Sequence, residues 1–313
     1  MKLIKSTTTI DFLSLKRRKV ALALSALLVI VSLVSLSTRG LEFGIDFTGG
    51  VLLEIGYPEA ANLENIRSEL GAAGFDDAQV QRFGRDTDVL VRLPPQATSE
   101  ASEVRAELQR ALQANGEAIE LRRVEFVSAQ VGSELAERGA LALVIALLMI
   151  FLYVMIRFQW KFSAGAVAAL AHDAIVTVGF FSVFGFPFDL TVVAAVLAVI
   201  GYSLNDTVVV FDRIRENFFT LRGVSAETAM NTSVNEMLAR TLITGLTTLL
   251  VLVALLVLGG ESIAPFSIAL IVGIIIGTYS SIYTASATAL ALDISPQDLI
   301  EPIKDPSLID DLP

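Results

Sequence analysis

The 313-residue sequence contains no cysteine, one histidine and one tryptophan. Without cysteine the chain forms neither disulfide bonds nor thiolate metal sites. One histidine also leaves too few nitrogen ligands for the metal sites that proteins commonly build from this residue. We therefore expect no metal and no bound cofactor.

Long apolar runs dominate the sequence instead. Apolar residues make up 54% of the chain, and its mean hydropathy is +0.67. Several runs are long enough to cross a hydrocarbon core of roughly 30 Å as helices. The predicted spans are 20–37, 140–156, 162–184, 190–211, 241–258 and 266–292. This pattern predicts a polytopic α-helical membrane protein with six spans.

The first run follows a cluster of Lys and Arg residues and ends near Ser35-Leu36-Ser37. A secretory signal with a small-residue cleavage site has a similar pattern. The five later runs favour a retained anchor, and cleavage would leave the remaining topology unchanged.

The basic residues next to the short loops predict the orientation of the spans. They precede the first span, and they lie between the second and third spans and between the fourth and fifth, whereas loops 185–189 and 259–265 contain no Lys or Arg. By the positive-inside rule both termini are cytoplasmic. The predicted organisation is a cytoplasmic N-terminus with the first span (1–38), a periplasmic domain (39–138), five spans (139–293) and an acidic cytoplasmic tail (294–313). We predict no role for the tail.

The segment between the first two spans has the composition of a small soluble domain. Residues 40–137 hold 18 Asp and Glu against eight Arg and no Lys, so this segment argues against nucleic acid as a partner. It contains neither His nor Cys, and no catalytic constellation is visible in it. We therefore expect no enzyme activity.

Strand and helix patterns in this segment predict an α+β domain. A glycine-rich turn at 44–50 lacks the Lys and the following helix of a phosphate-binding loop, so we interpret it as a turn that leads into a strand at 51–57. Asn62 caps a helix, strands follow at 79–83 and 87–93, Thr98 caps a second helix, and a last strand covers 119–127. This order is that of a ferredoxin-like fold.

Asp206 interrupts the apolar pattern of the fourth span, next to Asn205. At about 1.5 Å per residue it lies on the order of 7 to 8 Å inside the charged end of the run. An acid at this depth is costly unless it is paired or hydrated, and such acids commonly mark ion or proton pathways. The structural alternative is a side chain that reaches the interface, for which Asp is short.

Polar residues on the other spans identify possible partners of this acid. Arg240 begins the fifth span and Asp173 lies near the middle of the third. Arg stays charged, so in a pair of Asp206 with Arg240 the acid would titrate. A static ion pair that locks the two helices is the structural alternative. His172, next to Asp173, is more simply interpreted as a packed or hydrogen-bonded histidine than as a proton carrier.

Two intramembrane aspartates could also activate water for peptide hydrolysis. Intramembrane aspartyl proteases carry a glycine-x-glycine-aspartate motif, whereas here Ser203-Leu204-Asn205 precedes the aspartate. A self-contained exporter of small molecules or lipids is the other alternative. Such an exporter ordinarily has a duplicated set of spans and two large outer domains, and the sequence shows one of each.

Four motifs resemble those of the SecF family, the smaller of two proton-driven subunits attached to the bacterial Sec translocon. They are Gly44-Ile45-Asp46-Phe47-Thr48-Gly49-Gly50, Ala171-His172-Asp173-Ala174-Ile175, the stretch 199–217, and Arg240-Thr241-Leu242-Ile243-Thr244. The resemblance covers the chain from about Leu41 to Leu292 and includes the number of spans and the position of the domain.

The resemblance implies half of an RND-type permease in the bacterial inner membrane. It implies SecD, the SecYEG channel and YajC as partners, and protons as the ion that drives translocating preproteins outward. It also implies a proton relay in which Asp206 is the titrating acid, Arg240 its partner and Thr244 a polar neighbour. Asn205 belongs to the same motif as Asp206, and Asp173 is a weaker candidate.

Overall fold

Six long helices dominate the computed structural model, which describes residues 10–95, 106, 110, 119–221 and 223–299. Each is long and apolar enough to cross a membrane, as predicted. We number them spans 1 to 6: Leu15–Thr38, Ala129–Arg157, Trp160–Phe184, Leu190–Thr220, Ala226–Leu258 and Ala264–Ala291.

Spans 2 and 5 begin well before their apolar runs. Ser128 caps span 2 by accepting a hydrogen bond from the N–H of Val131, and Ser225 caps span 5 in the same way from the N–H of Thr228. Serine is a favoured N-cap, and the polar residues that follow it are compatible with helix outside the hydrocarbon. The predicted starts near residues 140 and 241 marked the edges of the apolar runs and not the helix ends.

The chain between spans 1 and 2 contains a four-stranded sheet. Its strands are β2 (Gly50–Gly56), β3 (Gln79–Phe83), β4 (Arg85–Leu93) and β5 (Glu120–Val127), in the order β3-β4-β2-β5 with every neighbouring pair antiparallel. This order is that of a ferredoxin-like sheet. The helix predicted after Thr98 lies outside the described residues, apart from the helical positions Ala106 and Arg110.

One face of the sheet packs on the helix Leu63–Ala72, which Asn62 caps. Side chains two residues apart lie on the same face of a strand, so alternate positions enter the core. The buried residues shared by sheet and helix include Leu53, Ile55, Val89, Val91, Ile66 and Leu70. The sheet therefore has a hydrophobic core separate from that of the spans.

A buried ion pair ties two strands of the sheet together. Asp88 of β4 is 5% exposed, and its Oδ2 lies 2.7 Å from Nη1 of Arg122 in β5. Burial alone would raise the pKa of this carboxyl, but hydrogen bonds from Arg122, Thr87 and Arg85 outweigh it, and the pKa lies below its ordinary value. Asp88 therefore stabilises the fold in its charged form.

The chain that enters the sheet from span 1 also pairs with a loop of the bundle. A two-residue strand β1 (Glu42–Phe43) pairs in parallel with β6 (Pro187–Phe188), which lies in the loop between spans 3 and 4. A one-turn helix, Ile45–Thr48, connects β1 to β2. The predicted glycine-rich turn thus lies between the sheet and the spans. We call the opposite end of the bundle the inner end.

Spans 3, 4 and 6 form the interior of the bundle. In their most apolar 18-residue stretches, 50%, 44% and 44% of residues are buried, against 6% in span 2 and 17% in span 5. Small residues allow this close packing: a Cβ on Gly273 of span 6 would lie 2.1 Å from Cγ2 of Val199 in span 4. A site between these three spans is shielded from lipid by the chain itself.

Candidate proton-relay site

Asp206 is a buried acid in the inner half of span 4. Its side chain is almost fully enclosed, at 5% exposure, and its Oδ2 has no hydrogen-bond partner among the described residues. A buried charge in a membrane costs several kcal/mol unless it is paired. This carboxyl therefore needs either a proton or a partner from outside the described residues.

The predicted ion pair between Asp206 and Arg240 is not formed: among the described residues, no contact within 4 Å joins the two charges. Arg240 is exposed and lines a groove of about 310 Å³ at the inner end of the bundle. Its neighbours from span 4 in this groove include Val208 and Asp212, which come after Asp206 in the chain. Arg240 thus lies on the inner side of the acid, beyond salt-bridge distance but near enough for an electrostatic interaction with it.

The two other polar candidates are Asn205 and Thr244. Among the described residues, neither forms a hydrogen bond with Asp206. Asn205 is exposed on the face of span 4 that the chain leaves uncovered. Thr244 is half-buried, and its hydroxyl donates to the carbonyl of Arg240 in its own helix at 2.9 Å. The Thr244 hydroxyl is therefore bonded within its own helix, and Asn205 faces outward.

Asp173 is the most completely buried acid of the spans. It is 0% exposed, and its Oδ2 accepts hydrogen bonds from Ser203 of span 4 at 2.5 Å and from Ser280 of span 6 at 2.7 Å. Because the carboxyl itself belongs to span 3, one oxygen atom joins all three inner helices. The two serine donors satisfy this buried acceptor from two neighbouring helices.

A third hydrogen bond, between spans 4 and 6, lies one turn further along span 4. Thr207 and Ser281 are buried, and their hydroxyl oxygens are 2.9 Å apart. Span 6 is π-helical from Ser281 to Ala285, directly after Ser280. A π-helical turn within an α-helix is rare and often occurs at functional sites. The irregular turn lies where span 6 contacts the polar residues of spans 3 and 4.

His172 lies beside this network, as a hydrogen-bonded histidine was expected to do. Its Nδ1 is 3.0 Å from Oδ1 of Asp173, and its Nε2 is buried without a partner among the described residues. Its ring centroid is 6.4 Å from that of Tyr279. His172 is therefore bonded through one nitrogen, and the other nitrogen remains available within the protein interior.

The geometry changes the relative weight of the predicted residues. Asp173, the weaker candidate, is at the centre of a network, whereas Asp206 and Arg240 lie on neighbouring helices without contact. The sequence pattern identified Asp173 as a polar residue of the third span, but it did not indicate that Ser203 and Ser280 would share one of its oxygens.

Comparison with known proteins identifies the family. Residues 107–295 match the family "Protein export membrane protein SecD/SecF, C-terminal", and residues 34–57 match the SecD/SecF GG motif. The chain is 48% identical over 301 residues to the protein translocase subunit SecF of Vibrio alginolyticus, covering 96% of this chain and 95% of that protein. The chain belongs to the SecD/SecF family.

A second SecF relative has the same level of similarity. The protein translocase subunit SecF of Pseudomonas aeruginosa is 48% identical, covering 94% of this chain and 95% of its own length. The SecD/SecF match at 107–295 includes all five predicted relay residues, and the GG-motif match includes the turn at 44–50. The family assignment therefore rests on the regions that carry the candidate site and the junction with the sheet.

Solved SecDF structures resemble the fold of this family member. The crystal structure of SecDF from Thermus thermophilus, a translocon-associated membrane protein, has a TM-score of 0.84 at 36% identity and covers 92% of this chain. The chain spans 39% of that SecDF chain. SecDF in its super-membrane-facing form has a TM-score of 0.67 at the same identity. This chain is thus a multi-pass membrane protein that corresponds to part of SecDF.

Proposed function

We propose that this chain is the SecF-type half of a membrane machine that uses the proton motive force to promote protein translocation. Membership of the SecD/SecF family gives it a role in Sec protein export. The proposal adds the driving ion, the partner and the residues that carry protons.

The observation that carries the proposal is the environment of Asp206. Its Oδ2 is buried in a membrane-length helix without a hydrogen-bond partner among the described residues. A carboxyl in such a position changes between a neutral acid and a charge when an access route or a partner group changes. Asp206 is the proton carrier, and Arg240 in the groove at the inner end attracts it when the bundle rearranges.

A SecD-type partner covers the exposed face of span 4, which includes Asn205 next to Asp206. The uncovered face of span 4 consists of small or polar exposed residues, which are Ala194, Ala198, Gly201 and Asn205. Small residues allow a second helix to approach closely in lipid. In SecDF the region that resembles this chain is 39% of a longer chain. Here we propose that the second half comes from a separate chain.

Asp173 and its serines have a second role in this mechanism. Because Ser203 and Ser280 both donate to one oxygen of Asp173, a neutral carboxyl, which is a weaker acceptor than a carboxylate, would join spans 3, 4 and 6 less firmly. A proton that reaches Asp173 therefore loosens the inner helices. This step links proton binding to helix rearrangement.

The charge distribution supports the location that we propose for each part. The inner end of the bundle carries the basic residues, so it faces the cytoplasm of a bacterial inner membrane, and the sheet faces the periplasm. In this orientation the sheet lies on the side where preproteins leave the SecYEG channel. YajC is a further proposed component. SecDF structures at equal identity give TM-scores of 0.84 and 0.67, which supports a machine with more than one arrangement.

The test is Asp206→Asn in a strain depleted of its own SecF. The amide keeps the size of the side chain and cannot titrate, so we expect normal membrane levels and loss of proton-dependent export. Glu134→Gln, at an exposed carboxylate paired with Arg138 in span 2, is the matched control and should export normally. Normal export by the Asp206→Asn protein would refute the relay. Proton-driven activity of this chain alone in liposomes would instead favour an exporter of small molecules or lipids.

A further inference from the structure

We propose that the glycine turn, residues 44–50, is the rigid link through which span 4 moves the outer sheet, and that Asp46 is its positioning residue. This inference rests on the proposed proton step at Asp206. The turn follows β1, which pairs with β6 just before span 4. The N–H of Gly44 donates to the carbonyl of Phe188 at 2.8 Å, so the pairing continues into the turn.

Asp46 attaches the turn to the first residue of span 4. Its Oδ2 accepts a hydrogen bond from the N–H of Leu190 at 3.0 Å. The N-cap of the span, Asp189, accepts from the N–H of Val192 at 2.9 Å. A helix N-terminus has free N–H groups and favours negative charge. Span 4 thus has one carboxylate from its own cap and a second from the glycine turn.

The other end of the turn is fixed to the sheet and to span 2. Gly49 and Gly50 have φ angles of 72° and 120°, which favour glycine. A Cβ on Gly49 would lie 2.7 Å from Cα of Ala129, and a Cβ on Gly132 would lie 2.7 Å from the nitrogen of Gly49. The two backbones are therefore in direct contact, and Gly50 begins β2, an inner strand of the sheet.

These contacts leave no flexible linker between the proton site and the sheet. Asp46 and Gly50 are four residues apart, and the ring of Phe47 stacks on that of Phe188 with centroids 6.1 Å apart. Asp206 is in the same helix as Leu190, about 24 Å along its axis at the rise of an α-helix. A shift or tilt of span 4 that follows proton binding is therefore transmitted through Asp46 to β2.

Two variants remove the same hydrogen bond from opposite sides. Asp46→Ala deletes the acceptor. Leu190→Pro deletes the donor, and proline is favoured at the first position of a helix, while Asp189 already has the extended backbone that a following proline requires. Asp46→Asn keeps an acceptor oxygen and serves as the conservative variant. Glu59→Ala, at an exposed position of the outer domain, is the control.

The readout is the distance between spin labels on the full-length chain, which has no native cysteine. Ser68→Cys and Thr191→Cys are both exposed, on the helix Leu63–Ala72 and in the first turn of span 4. The reference protein carries only these two labelled cysteines. We expect one narrow distance distribution in the reference protein, in Asp46→Asn and in the Glu59→Ala control. In Asp46→Ala and Leu190→Pro a second population should appear, in which the two labels are farther apart. The ratio of this population to the close one should rise about tenfold, as for loss of a hydrogen bond to a charged group.

An unchanged distribution in either bond-deleting variant would overturn the proposal. Export in cells gives the second readout, and both variants should lower it several-fold while the control exports normally. Equal export by Asp46→Ala, Leu190→Pro and the Glu59→Ala control would show that the link does not transmit the motion. The distance measurement does not involve Asp206, so normal export by Asp206→Asn refutes the proposed function alone and leaves the link to be decided by the distances.

Discussion

Removing the hydroxyl of Ser280 should destabilise the bundle measurably. Ser280 is fully buried and donates to Oδ2 of Asp173 at 2.7 Å. Hydrogen bonds between membrane helices contribute about 0.6 kcal/mol on average and up to about 1.7 kcal/mol. Bonds to charged groups lie at the upper end of the general range. We therefore expect Ser280→Ala to lower the free energy of unfolding by about 1 to 2 kcal/mol.

The chain offers a closely matched control six residues along the same span. Ser286 is also fully buried, but its Oγ has no partner among the described residues, so Ser286→Ala should cost little or stabilise slightly. Reversible unfolding in mixed micelles would measure both. In an Asp173→Ala background the cost of Ser280→Ala should fall close to zero. Equal losses for the two alanine variants, or an undiminished loss without Asp173, would refute the shared-oxygen network.

Two further predictions concern the outer domain and the relay. A fragment of residues 39–138 should unfold cooperatively. Because the folded pKa of Asp88 is lowered, its contribution is complete above the unfolded value of about 3.9 and is lost as pH falls through the folded pKa. In the Asp88→Asn fragment the free energy of unfolding should therefore fall less steeply below pH 4 than in the parent fragment. The same pH dependence in both fragments would contradict this. In the isolated chain Asp206→Asn and Arg240→Gln should be additive in unfolding free energy to within about 0.5 kcal/mol, and larger coupling would mean that the two residues meet.

The sequence alone predicted the class of the fold and most element positions. Apolar run length sets the number of spans because a helix needs about 20 apolar residues to cross the hydrocarbon. Alternation and capping signals located β3 at Gln79–Phe83 and the helix that Asn62 caps. The starts of spans 2 and 5 were placed too late because caps and helix formers, and not hydropathy, determine where a helix begins.

The sequence also identified the acids of the spans as candidate site residues, since an acid in an apolar run is conspicuous at any position. Only the tertiary structure decided which of these residues meet. The contacts of Asp173 with Ser203 and Ser280, like that of Asp46 with Leu190, join residues 30 to 144 positions apart in the chain. Helix periodicity gives the face on which a residue lies, but the rotation and depth of one helix against another depend on packing at small residues such as Gly273. For that reason Asp206 and Arg240 could be predicted as partners and still form no salt bridge in this structure.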